Sequence, residues 1–382
     1  MHLKYNSLYE HNSSMEDPTV PQPKPISKAK VTFSRLKRRI LKHTWAVRAG
    51  ILGLIFVSIY LIFTLIGFIL GHTPLGNFVK LSGDFLFTPE GKIEILDGRT
   101  NILILGKGGV GHEAPDLTDT IILASVSYKN PEIKLVSLPR DIWIPDLRTK
   151  LNSVYYWGNQ KQTGGGIILA KSTVEEISGQ KVQYGVVIDF SAFKEIIDTL
   201  GGVEVDVERE FTDTRYPIVG KENDECGGDK EFKCRYETIH FEKGLQAMDG
   251  ARALKFARSR NAQGDEGTDF ARSQRQQKII SAISKKVIST KILLSPKTLL
   301  KLWEIVRISI ETDIPDSSGA ILARRLLAAK NSLNSQVLPQ NLLVNPPESP
   351  RYDSLYVFIP RSGDWSEVHS WVECVISGGI CN

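Results

Sequence analysis

The sequence predicts an α/β fold, an α/β/α sandwich with a central mixed β-sheet, preceded by one transmembrane helix. Three observations lead there. Short apolar runs of strand length alternate with amphipathic runs of helix length through most of the chain. An uncharged stretch, Ala49 to Leu70, is about as long as a bilayer-spanning helix requires. Hydrophobic residues make up 41% of the 382, enough to bury a substantial core.

Residues 1–48 hold ten Lys/Arg against Glu10, Glu16 and Asp17, so the formal surplus of +5 for the whole chain sits in this tail and the remainder is slightly acidic. That distribution removes the nucleic-acid signal that a basic total would otherwise suggest. The first 30 residues, rich in Pro, Ser and Asn, read as disordered. A secretory signal peptide would have a shorter apolar centre and a small-residue cleavage site close behind it, so 49–70 reads as an uncleaved anchor. Dense Lys/Arg on the N-terminal flank, against His72 and Lys80 beyond the span, predicts a single-pass cell-membrane protein with its N-terminus cytoplasmic and its C-terminal domain extracytoplasmic.

Residues 71–98 read as a membrane-proximal connector with a short hairpin, because "LFTPEGKIEIL" sets a Pro-Glu-Gly turn between apolar flanks. The domain proper, 99–382, opens with the strand "NILILG" and a Gly-rich loop, followed by the strand-like "TIILASVS" and "EIKLVSLPRDIWI". A helix near Ile167 to Ile177 and the strand "QYGVVID" lead into the amphipathic "FSAFKEIIDTL", stopped by Gly201-Gly202 as helices prefer to be. After "GVEVDV" and a polar loop come helices at about Phe270 to Ile288 and Pro296 to Ile308, then "SLYVFIP" and a last helix near Trp365 to Ile376. The cysteines form two local pairs, both beyond the membrane, with neither in the CxxC spacing of a zinc or redox site. Disulfides Cys226–Cys234 and Cys374–Cys381 are the favoured reading among the three connectivities that four cysteines allow.

The densest chemistry lies in "ALKFARSRNAQGDEGTDFARSQRQQ", residues 253–277. Arg258 and Arg260 would share a side only on extended chain, so they are expected where the helix "GARALKFA" gives way to it. Arg272, Arg275 and Gln276 are expected to share the first turns of the next helix, where the dipole favours an anion, with Asp269 placed to orient a guanidinium or cap the helix. Arginine meets phosphate as a planar fork, so the cluster points to a phosphate or pyrophosphate. A solvated helix face with surface pairs to Asp265 and Glu266 is the competing reading. Against it, "SLPRDIWIP" sets Arg140 and Asp141 at the end of an apolar strand, where open α/β sheets place ligand groups, and "DLTDTIIL" sets Asp119 at the start of another. An Asp carboxylate beside arginines and pyrophosphate is the usual setting for Mg²⁺. "GKGGVG" lacks the Gly-Lys-Ser/Thr ending of a P-loop, so it is either a backbone cradle or a plain loop.

"NILILG", "LTDTIIL", "VSLPRDIWIP", "KLNSVYYWG", "VVIDFSAFKEIIDTLGGVEVDV", "GLQAMDGARALKFARSR" and "DFARSQRQQ" occur in order over residues 101–280, and the chain resembles the LytR-CpsA-Psr proteins of bacterial envelopes. The part from 281 to 382 lies outside these motifs. The resemblance implies an α/β/α sandwich with an apolar tunnel for a prenyl tail. It also implies a phosphotransferase that moves a glycopolymer from a polyprenyl-pyrophosphate lipid to peptidoglycan or a similar wall acceptor, at the lipid bilayer and without nucleic acid. Carried over, it makes Asp119, Arg140, Asp269 and Arg272 catalytic, and Arg140, Arg258, Arg260, Arg272, Arg275 and Gln276 the pyrophosphate ligands. Mg²⁺, or Mn²⁺ in its place, would sit on Asp119. Where many members carry "LLGxD" this chain has Gly106-Lys107-Gly108, and Asp116 or Glu113 is the candidate replacement carboxylate. Where they carry "RSDT" it has "LTDT". The alternatives are a lipid-pyrophosphate hydrolase and a non-enzymatic lipid-glycan binding or regulatory module. Ser137 has no evident His-Asp partner, and His112 and His240 read as loop residues rather than catalysts.

Overall fold

A computed structural model describes residues 44–71, 74–379 and 381, so the expectations for residues 1–43 lie outside the described residues. The chain divides into two units, 1–71 and 72–382. Helix α1 (Thr44–Gly71) makes up the described part of the first; its 28 residues rise about 42 Å. An 18-residue window within Thr44–Phe68 has a mean hydropathy of 2.6, so the helix is long and apolar enough to cross a membrane.

The second unit opens differently from the expected hairpin. Helix α2 (Pro74–Phe87) occupies most of the connector and ends in one 3₁₀ turn, Glu90–Lys92. The apolar spacing Phe78, Leu81, Phe85 carries a helical period that the Pro-Glu-Gly turn beyond it obscured. Arg324 fastens the end of α2 by donating to the carbonyls of Phe85 and Thr88.

Fourteen strands follow in chain order: β1 (Arg99–Lys107), β2 (Thr118–Ser127), β3 (Ile133–Ser137), β4 (Trp143–Ile144), β5 (Thr149–Lys150), β6 (Tyr184–Asp189), β7 (Val203–Val207), β8 (Phe211–Pro217), β9 (Tyr236–Phe241), β10 (Gly244–Met248), β11 (Ile310–Thr312), β12 (Leu333–Val337), β13 (Leu343–Val344) and β14 (Ile359–Pro360). Between them lie α3 (Val154–Lys161), α4 (Gly165–Ser178), α5 (Phe190–Thr199), α6 (Gly250–Arg258), α7 (Asp269–Val287), α8 (Thr290–Leu293), α9 (Pro296–Ser309) and α10 (Asp316–Ala328), and α11 (Ser366–Ser377) closes the chain.

The central sheet runs β11-β6-β1-β2-β3-β12. It is mixed, as expected: β1, β2 and β3 form an antiparallel meander, β6 joins β1 in parallel, and β12 joins β3 in parallel. The parallel partners arrive by long crossovers carrying helices, the only way a same-direction strand can be reached. Alternation along β1 and β2 splits the core in two. Leu103, Leu105 and Leu123 pack with Val174, Ile177 and Val372 of α4 and α11. Ile102 and Ile122 face the other way, onto Ile321 of α10 and Ala329 just beyond it. Gly158 of α3 lets α4 pass at contact distance, since a Cβ there would lie 2.5 Å from the Gly165 carbonyl oxygen.

A satellite layer is added where the sequence showed only a polar loop. The ribbons β7–β10 and β8–β9 pack with α5, α6 and α7 around Phe211, Phe241 and Phe256, whose rings lie 5.1 to 5.9 Å apart. Both disulfides form as read, Cys226–Cys234 and Cys374–Cys381. The "SLYVFIP" strand shortens to β14 plus a bridge, which lays Phe358 alongside Ile142.

Candidate functional site: an arginine clamp between two cavities

The site starts at an irregularity in the sheet. Gly106 pairs with Thr120 but Lys107 pairs with Thr118, so Asp119 is the extra residue of a β-bulge. Bulges re-aim side chains. Here Asp119 and its neighbour Thr120 both border one cavity, which strict alternation would forbid. Gly106 makes room, because a Cβ on it would come within 2.9 Å of the Thr120 Cβ.

Arg140 stands on the turn after β3 and donates from Nη1 to Asp119 Oδ1 at 2.5 Å and from Nε to Asp141 Oδ2 at 3.3 Å. Asp141 is 4% exposed and also binds Lys150 at 2.8 Å, which fixes it as the support for Arg140. Burial opposes charge on Asp119, but Arg140, with Arg272 and Arg260 behind it, holds the carboxyl below its ordinary range.

Arg258 and Arg260 straddle the end of α6, as the spacing predicted. A residue that sequence reasoning missed holds that turn. Asp213, fully buried on β8, accepts Ser259 Oγ at 2.7 Å and the backbone N–H groups of Arg260 and Asn261, each at 3.1 Å, on one oxygen, and the Arg215 N–H on the other. The available signal was an acidic residue at an inward position of a strand whose neighbour Phe211 is core. Arg258 lies over the Phe190 ring at 4.3 Å and donates to the Tyr216 hydroxyl at 3.3 Å.

Helix α7 supplies the rest. Its cap is Thr268, whose Oγ1 accepts the Ala271 N–H, so Asp269 is free for its other expected role and pairs with Arg272 at 2.9 Å. Arg272 is 4% exposed, and its Nε has no hydrogen-bond partner. Burial first, then the nearby Arg140 and Arg260, push its guanidinium down to about 10 in spite of Asp269 and Asp119.

Arg275 departs from the expectation that it would join the clamp. Its guanidinium points away and is fully engaged: Nε donates to the Phe256 carbonyl, Nη2 to the Ser259 carbonyl, and Nη1 to the carbonyl and carboxylate of Glu266. It ties α6 to α7 from behind. Asp116 also leaves the site. It pairs with Lys107 at 2.8 Å, and Lys107 lies over Tyr155, on the sheet face opposite the cavity. Asp189, read at first only as the end of a strand, borders the cavity instead while its other oxygen caps α5.

Asp119, Arg258, Arg260, Arg272 and Gln276 therefore converge on one cavity of about 300 Å³, between the sheet and helices α5, α6 and α7. Away from these polar groups the walls are apolar: Ile104, Ile188, Phe193, Leu254, Ile280 and Ile283. A second, smaller recess holds Arg140, Asp141 and Asp269 and shares Asp119, Arg272 and Gln276 with the first. Arg258, Arg260 and Arg272 face the larger cavity beside Asp119 and Asp189, and the unpartnered Nε–H of the buried Arg272 seeks an acceptor. Such a site suits an amphiphile with an anionic head and an apolar tail.

The donors also bear on a divalent cation. Among the described residues the only cluster of three or more ligand atoms is Asp224 with Cys226 and Cys234, whose sulfurs are joined in a disulfide. Beside the clamp the carboxylates bordering the larger cavity are Asp119 and Asp189. One or two carboxylates completed by phosphate oxygens and water is how Mg²⁺ is commonly held, so the set fits a cation that arrives with a phosphate ligand.

A profile of the LytR_cpsA_psr family matches residues 88–369. A polyisoprenyl-teichoic acid–peptidoglycan teichoic acid transferase, TagU of Bacillus cereus, is 29% identical over 219 residues, covering 56% of this chain and 60% of that protein. The Regulatory protein MsrR of Staphylococcus aureus is 28% identical over 230 residues, 58% of each. The chain thus spans less than two thirds of the length of these curated relatives. The crystal structure of Bacillus subtilis TagV superposes with a TM-score of 0.52 at 22% identity, covering 74% of this chain and 99% of that one. TagT bound to LI-WTA gives 0.50 at 21% identity, covering 75% and 94%. At these identities the two structures establish the shared fold.

Proposed function

We propose, starting from the fact that this chain belongs to the LytR_cpsA_psr family, that it joins a glycopolymer carried on a polyprenyl pyrophosphate to a wall acceptor such as peptidoglycan. The observation that carries this reading is Arg272. It is a buried arginine with an unpartnered Nε, set in the wall between an apolar cavity and a polar recess. The transferase names of TagU and TagV point the same way. Helix α1 serves as the anchor, with the basic tail inside and the second unit outside, where the lipid-linked donor would be met.

In this reading the prenyl chain lies among Ile104, Phe193 and Ile280, and the pyrophosphate lies across Arg140, Arg258, Arg260 and Arg272. An acceptor hydroxyl attacks the sugar-side phosphorus. The new P–O bond forms as the bridging P–O bond breaks, polyprenyl phosphate leaves with the bonding electrons, and Asp269 takes the hydroxyl proton. The arginines stabilise the charge that develops on the bridging and leaving oxygens. Energy comes from the pyrophosphate bond. Asp119 and Asp189 are the residues that would hold Mg²⁺, which would supply further positive charge there. Asp119 also aims Arg140, so it orients the clamp with or without the cation.

Asp119→Asn tests this. It keeps the shape of the bulge and removes the charge, so a labelled prenyl-pyrophosphate lipid should still bind through the four arginines. Joining of labelled polymer to isolated wall should fall about 10²-fold or more. Wild-type joining by this variant in the presence of a chelator would overturn the assignment of Asp119.

A further inference from the structure

The recess beside the clamp has an aromatic rim to which the transfer reading gives no task. Tyr356 is 48% exposed and Phe270 37%. Phe358 and Phe270 both line the recess, and Tyr356 meets the Phe358 ring edge-on at 5.4 Å. This rim is fastened to the segment that carries the clamp arginine. The Phe358 N–H donates to the Asp141 carbonyl, and the Trp143 N–H donates to the Phe358 carbonyl, each at 2.9 Å. Below it, Trp143, Tyr352 and Val357 form a small core of their own, so the aromatic edge rests on packed side chains. Burial foremost, then the Asp269 and Asp141 carboxylates, push the Tyr356 hydroxyl up. Ser273 and Gln340 add a hydroxyl and an amide to the lining.

Open aromatic faces next to hydroxyl, amide and carboxylate groups are the chemistry that recognises a pyranose. The C–H face of the sugar lies on the ring, and its hydroxyls take the polar partners. Which sugar follows from the reaction geometry. Attacking and leaving oxygens lie roughly in line across the phosphorus. With the lipid leaving group in the apolar cavity, the attacking hydroxyl comes from the opposite side of the Asp119–Arg272–Gln276 wall. That side is the recess, and Asp269 borders the recess and not the apolar cavity.

We propose that Tyr356, Phe358 and Phe270 form a shelf on which a pyranose ring of the acceptor glycan stacks, bringing its hydroxyl to Asp269. The inference rests on the transfer reading for the identity of the acceptor. Tyr356 is a positioning residue, and the C-terminal part of the chain thereby sets acceptor choice.

The test uses the full chain in detergent, with a β-1,4-linked N-acetylglucosamine tetramer as soluble glycan and calorimetry as readout. Wild-type protein should bind the tetramer. Tyr356→Ala should weaken that binding about tenfold, while Tyr356→Phe should hold it within about threefold. Affinity for the prenyl-pyrophosphate lipid, measured separately, should stay unchanged in both variants, and the acceptor KM of Tyr356→Ala should rise more than its kcat falls. Equal tetramer affinity in Tyr356→Ala would overturn the shelf. A loss of lipid affinity instead would give it to the sugar of the donor and overturn the acceptor assignment. If the transfer reading alone were wrong, the tetramer would still bind through Tyr356 but no joined product would form. If the shelf alone were wrong, joining would continue with an unchanged acceptor KM.

Discussion

Arg272→Leu is expected to cut transfer about 10³-fold or more while making the lipid-free protein more stable, by about 1–3 kcal/mol. The two effects have one cause. Arg272 is buried beside Arg140 and Arg260, and its guanidinium is held at about 10, well below the ordinary arginine range. That difference costs the empty fold on the order of 3 kcal/mol. The sign follows from proton counts. Below pH 10 both folded and unfolded chains carry the charge, and the full penalty applies. From about 10 up towards the ordinary arginine range the folded protein sheds the proton first, so wild-type stability gains as pH rises through that window and the gap to Arg272→Leu closes. A bound pyrophosphate would remove the penalty in another way, by pairing the charge. Thermal melts with and without the prenyl-pyrophosphate lipid check this: the lipid should raise the wild-type midpoint strongly and that of the Leu variant little. Arg272→Lys should transfer poorly too, since a point charge does not reproduce the planar fork. A Leu variant that melts well below the wild type without lipid would show that the arginine stabilises the empty fold.

Arg275→Leu, three residues along the same helix, should do the reverse to stability. This guanidinium is 3% exposed but bonded through all three nitrogens, and removing it strands the Glu266 carboxylate and the carbonyls of Phe256, Ser259 and Glu266. Breaking a buried pair from one side costs about 3–5 kcal/mol. Denaturant unfolding should show the midpoint shifted down with little change in slope. Transfer should also fall, because the Ser259 turn that aims Arg260 loses one of its two holds. Asp213 is the other.

The contrast between these arginines shows where the sequence stopped being readable. On a helix, residue 276 lies about 40° from residue 272 and residue 275 about 60° on the other side, so both neighbours were candidates for the site. Only the packing of α6 on α7 decides that Gln276 faces the cavity and Arg275 the seam. Local patterns were legible: "NILILG" as a strand, the end of α6 at Arg258, the membrane-length helix, the paired cysteines. So was the convergence of Asp119, Arg140, Arg258, Arg260 and Arg272, through motifs in a familiar order. Features made by distant segments were not. Asp213 reaches its turn across 46 residues to Ser259. The aromatic rim reaches Arg140 from more than two hundred positions away, through backbone hydrogen bonds that leave no mark on the side-chain pattern. The bulge at Asp119 was hidden as well, since "LTDTIIL" runs from three polar residues to three apolar ones and has no alternation whose break would mark it.

Asp119, Arg272 and Gln276 border both cavities, so a single layer of side chains separates them. Charge brought to one side is felt on the other. By linkage the influence is mutual: whatever factor a seated lipid head group applies to the affinity for a glycan, the glycan applies to the lipid. A transfer of the proposed kind would hold both partners at the same moment and store nothing on the enzyme between them. It also makes the glycan a stopper. On the proposed function, a glycan seated in the recess would keep water from that side of the phosphorus, so the molecule that is to receive the lipid-borne polymer would also guard it from being shed into the medium.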